Sequence, residues 1–116
     1  MPLILNKSDL KGTCYMELLP GPFCGRYWNE GSAFIPDEDF FYLAPFIESH
    51  FGAYDHFGIN NEIDRDIWQR ILADIDTALS DTPEKFSEDE RDLACHISVW
   101  VRARLITHDR ITILGM

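Results

Sequence analysis

Four residues near the middle of the chain, Glu48, His50, Asp55 and His56, are of the types that ligate metal ions. Imidazole and carboxylate ligands at a helix end and its following loop are the raw material of a zinc site, which takes three or four ligands on a tetrahedron. Two histidines six apart with one aspartate make an incomplete set. The chain has no His-Glu-x-x-His, no Cys-x-x-Cys and no acidic EF-hand loop. The expectation is therefore no metal and no cofactor, with His50 closing a helix C-terminus and His56 held within a loop. A small metalloenzyme using His50, Asp55 and His56 is the remote rival.

Other chemistries fare no better. Cys14, Cys24 and Cys95 are three thiols without paired spacing, and no base or helix N-terminus beside them marks an activated nucleophile. Reduced cysteines in a cytosolic protein are expected, with a Cys14–Cys24 bridge left open. Cys95 reads as a small core residue. The pairs Asp37/Asp39, Asp64/Asp66 and Asp74/Asp76 are spaced i, i+2, so on a helix they do not converge on one ion. Asp66 and Arg70, at i, i+4, are spaced for a surface ion pair. The seven glycines fit no phosphate-binding fingerprint. No enzyme is expected.

The elements that would carry these residues follow from periodicity. Residues 13–19 read as a strand ended by Pro20-Gly21-Pro22, with further short strands at 23–28 and 32–35. Phe40, Leu43, Ala44, Ile47 and Phe51 share one face of a helix over about 38–51, into which Pro45 intrudes. Residues 52–61 read as a loop. Ile63, Ile67, Ile71, Ile75 and Leu79 recur at steps of four, which predicts a helix over 63–79. Ser87 with Glu90 is a capping box opening a helix over 87–106, with Leu93, Ile97, Trp100, Val101 and Leu105 as its buried stripe. Residues 111–114 read as a strand returning to the N-terminal sheet. The expected fold class is α+β, one domain over 1–116, with three helices on a small antiparallel sheet.

Charge is the most informative bulk property. The chain of 116 residues holds 20 acids and 10 lysines and arginines, a formal net charge of −10. Residues 37–92 alone hold 16 acids against four bases, net −12, while residues 1–36 are neutral and residues 93–116 carry +2. Such a surface repels nucleic acid and anionic lipid and attracts basic partners. The same charge would also serve solubility alone. No apolar run approaches the roughly 20 residues of a membrane span, and Met1–Asn6 lacks a basic leader, so a cytoplasmic location is expected.

Tyr54-Asp55-His56-Phe57-Gly58, the acidic segment from Asp64 to Leu79 and the ending Ile111-Thr112-Ile113-Leu114-Gly115 give the chain, from about Asp37 onward, a resemblance to bacterial immunity proteins. These neutralise polymorphic and contact-dependent-inhibition toxins. The resemblance implies a cognate, basic, nuclease-type toxin as partner, its active site covered by an acidic surface. The class shares no motif, so contact residues are chosen by charge and expected exposure. These are Asp55, Glu62, Asp66 and Asp74, with Tyr54 as an aromatic anchor. The rival from another class is a non-catalytic adaptor or oligomerising subunit.

Overall fold

Tyr15–Pro20 (β1) and Arg110–Leu114 (β4) are the central strands of a four-stranded antiparallel sheet. Ala33–Pro36 (β2) and Asn61–Asp64 (β3) form its edges, giving the order β2-β1-β4-β3. The computed structural model describes residues 15–23, 25, 29, 31–36, 40–52 and 61–114. Register places Leu18 opposite Ala33 on one side and Ile113 on the other, and Ile63 opposite Ile111.

Alternation then sorts the sheet into two faces. Met16, Leu18, Ala33, Ile35, Ile63, Ile111 and Ile113 join the helices in one hydrophobic core. The opposite face carries Tyr15, Glu17, Leu19, Phe34, Thr112 and Leu114, and these are buried too. A strand buried on both sides loses the in-out pattern and reads as a near-continuous apolar run. That is why Tyr-Met-Glu-Leu-Leu and Ile-Thr-Ile-Leu look as they do. The two polar members of this face are satisfied internally. Thr112 Oγ1 donates to the Gly21 carbonyl at 2.7 Å. Glu17 Oε2 accepts from the Asn29 backbone N–H at 3.0 Å, from Asn29 Nδ2 at 2.9 Å and from Ser32 Oγ at 2.5 Å.

Three helices cover the first face: Ala44–His50 (α1), Arg65–Asp81 (α2) and Glu88–Leu105 (α3). α1 is shorter than the periodicity predicts. Pro45 has no N–H to give back to residue 41, so Phe41–Leu43 is a 3-10 turn and the α-helix begins at Ala44, with proline tolerated in its first turn. Phe40, Leu43, Ala44 and Ile47 are buried as their spacing requires.

α2 begins two residues later than expected, because Asn61–Asp64 pairs with β4 as a strand. Asp64 stays extended at ψ 171° and its carboxylate accepts the Ile67 N–H at 2.9 Å, so it caps α2 rather than entering it. Inside the core Trp68 is 2% exposed, and its Nε1 donates to the Ile111 carbonyl at 3.0 Å. That bond fastens α2 to the sheet. The capping box at Ser87 and Glu90 forms as predicted, at 3.1 and 2.8 Å. Across the helix layer Arg65 donates to the carbonyls of Leu105 and His108, so the start of α2 closes the end of α3 and the two run antiparallel.

Two expectations need correction or restriction. Cys95 is exposed, not part of the core. The inward stripe of α3 is Leu93, Ala94, Ile97, Ser98, Val101 and Leu105, and Cys95 lies one step of about 100° beyond Ala94, on the solvent side. Most of the strand expected at 23–28 falls outside the described residues, and Phe23 and Gly25, which are described, are not in a strand.

Candidate interaction surface

α2 lies between its two neighbours, and its acids divide among three directions because each residue turns the helix by about 100°. Asp74 points to α1, where its Oδ2 is 2.5 Å from His50 Nε2. Asp76 points to α3, where its Oδ2 accepts from Arg102 at 2.6 Å. Asp66, Arg70, Ala73 and Thr77 lie between, exposed along the outer face. Asp66 sits in the first turn, where the helix dipole favours a negative charge. It makes no ion pair with Arg70 despite the favourable spacing.

Beside Asp74 a groove of about 440 Å³ runs between α1 and α2. Pro45, Phe46 and Ala78 give it an apolar floor, while Asp74 and Asp81 stand on its α2 rim. Two of its hydroxyls are turned to backbone: Ser49 donates to the Pro45 carbonyl and Thr82 to the Ala78 carbonyl. Phe46 stacks on Phe86 at 6.5 Å between ring centroids, tying α1 to the α2–α3 connection. An apolar slot with carboxylates on its lip fits a long cationic side chain, whose methylenes pack on the floor while the head meets the acids. On the other flank of α2 the lining changes sign. A cavity of about 370 Å³ is formed by Arg65, Gln69, Arg102, Leu105 and Ile106.

The residues chosen from the sequence do not form one surface. Asp66 and Asp74 share the solvent side of α2, about 12 Å apart along its axis. Glu62 is elsewhere. It pairs in register with Thr112 on the sheet face away from the helices, and its carboxylate is held by Arg110. Arg110 also donates to Asp109 at 3.1 Å. This bond and the guanidinium charge hold the Asp109 carboxyl below its ordinary range, and the two carboxylates raise Arg110 above the usual arginine value. Tyr54 and Asp55 lie outside the described residues, as does His56. His50 ends α1 as expected, but its ring is engaged by Asp74. Among the described residues no three histidine, cysteine, aspartate or glutamate side chains gather in a way that could hold a metal ion. No helix among them is long and apolar enough to cross a membrane.

Sequence reasoning missed four of these features. The His50–Asp74 and Asp76–Arg102 pairs join residues 24 and 26 positions apart, which no local spacing announces. Asp81, two residues past the helix expected over 63–79, ends α2 on the groove. The buried Glu17 had a signal: an acid at the centre of an apolar strand, with serine and asparagine a hairpin's length away. Comparison with known protein families, with curated proteins and with solved structures finds no match to this chain.

Proposed function

We propose that this protein is a toxin-neutralising immunity protein, and that the acidic outer surface of α2 with the adjoining groove covers a basic surface on a nuclease-type toxin domain. One observation carries the reading. Among the described residues Asp66 and Asp81 stand exposed without an ion pair on the solvent side of α2, and Asp81 lines a groove shaped for a lysine or arginine side chain. Net charge of −10 draws a basic partner in from a distance and raises the association rate, most strongly at low salt. Once docked, desolvated pairs between these carboxylates and the partner's cations hold the complex, and the bulk of the helical layer excludes substrate. Tyr54 and Asp55, outside the described residues, remain contact candidates on sequence grounds alone. Glu62 and Asp74, already paired with Arg110 and His50, serve the fold first.

The test is co-expression with candidate basic nuclease-type toxin domains, with growth and binding as readouts. Rescue of growth is expected, with affinity falling as salt rises. Asp66→Lys and Asp81→Lys together should weaken binding at least about tenfold, or about 1.4 kcal/mol. Binding indifferent to salt and to both reversals would remove the electrostatic mechanism. The adaptor or oligomerising reading is favoured by one separate observation, the exposure of Val99 on α3 and of Ile106 at its C-terminal cap.

A further inference from the structure

Val99 is 70% exposed and Ile106 81% exposed, on a helix whose opposite side already fills the core. With Glu88, Asp92, Cys95 and Arg102 they form the outward stripe of α3, a band about 80° wide at 100° per residue. All six are exposed. Spacings of four, three and four from Cys95 to Ile106 are those of a helix–helix seam. Along the stripe, charge is segregated: acids at its N-terminal end, a small and apolar centre, then Arg102 and Ile106.

We propose that this stripe is a self-association surface, on which a second copy of the chain docks α3 antiparallel to α3 about a two-fold axis. An axis near residue 97 sets Cys95 opposite Val99 of the second copy and Asp92 opposite its Arg102. It also lays Glu88 beside the Ile106 end. Each pairing occurs twice because a two-fold contact is isologous. A parallel arrangement would instead set Arg102 against Arg102 and Asp92 against Asp92. The pattern thus selects both the partner and its direction. Charge argues against α2 as the face that takes a second copy. The acidic outer face of α2 repels its own kind, whereas the second half of α3 carries Arg102 and Arg104 without an acid. Arg102 keeps its bond to Asp76 at 2.6 Å, with half of its side chain still exposed to meet a second carboxylate. A single pair of helices about 27 Å long lies at the small end of specific interfaces, so association is weak and concentration-dependent. The proposal is independent of the toxin reading, since it is tested on the chain alone.

Sedimentation velocity of the full chain at about 300 μM, where a micromolar Kd fills the dimer, reads it directly. The wild type should sediment as a dimer and dissociate on dilution. Val99→Glu, at a solvent-facing helical position, should keep the wild-type circular dichroism and lose dimerisation. Asp92→Arg alone should weaken association at least about tenfold, and Asp92→Arg with Arg102→Asp should restore it. A wild type that stays monomeric at this concentration would overturn the proposal. So would a dimer unaffected by Val99→Glu, or one weakened by Asp92→Arg and not recovered by the double swap.

Discussion

α2 and α3 are 17 and 18 residues long and pack side by side, yet they meet water differently. α2 is divided cleanly. Trp68, Ile71, Leu72 and Ile75 face the core, and no large apolar side chain is exposed along its outer surface. α3 buries an equally apolar stripe but also shows Val99, and Ile106 at its C-terminal cap, to solvent, and it buries Ser98, whose hydroxyl has no hydrogen-bond partner among the described residues. The difference teaches that amphipathicity reports what a helix packs against. A helix with one apolar face has one partner, here the sheet. A helix with apolar residues on both faces leaves the second without a partner inside its own chain.

The tryptophans sharpen this contrast most. Trp68→Ala on α2 should cost about 3–5 kcal/mol, since it empties a buried site and orphans the Ile111 carbonyl bond. Trp100 on α3 is only half-buried and has the Arg104 guanidinium 5.1 Å from its ring centre, so Trp100→Ala should cost about 1–2 kcal/mol. Urea unfolding of both variants checks the ranking, and equal losses would break the comparison.

Asp64→Ala removes the carboxylate that caps α2 and should cost about 1 kcal/mol by the same measurement, while Asp64→Asn should recover most of it. Ser98→Ala runs the other way. Removing a buried, unpaired hydroxyl from the inner face of α3 should leave stability unchanged or raise it by up to about 1 kcal/mol. A clear loss would mean that Ser98 is satisfied in solution.

The smallest effect lies beyond α3, at Asp109. Its carboxyl is held low by the Arg110 hydrogen bond, so the stability it adds is present above its ordinary pKa and disappears as pH falls through the lowered one. Wild type and Asp109→Asn should therefore differ in Tm at pH 5 and converge as pH drops below about 4. A difference constant with pH would assign it to packing.

Much of this was legible in the sequence, and the parts that were not have physical causes. The α3 capping box, the α2 stripe and the strands at 15–20 and 110–114 follow from local patterns, and the α+β class follows from them. β3 was hidden because Ile63 satisfies two periods at once. It stands four residues before Ile67, as a helix requires, and alternates with Glu62 and Asp64, as a strand requires. Pairing with β4, a contact some 48 residues away in sequence, decides between them. Cys95 was misplaced because type suggested burial while its neighbours' stripe dictates exposure. For the surface, the acidic middle was visible as composition. Which acids are free could not be read, since His50, Arg102 and Arg110 reach their carboxylates across the fold.

The central claim is that the free acids on the solvent side of α2 bind a basic partner. Calorimetry at low and high salt, with a basic nuclease-type toxin domain against which the protein rescues growth, tests it most directly. The account predicts tight binding at low salt, weakened by salt and lost at least about tenfold in the Asp66→Lys/Asp81→Lys double variant, with the variant's folding intact. Equal affinity of wild type and double variant at both salt concentrations would contradict it.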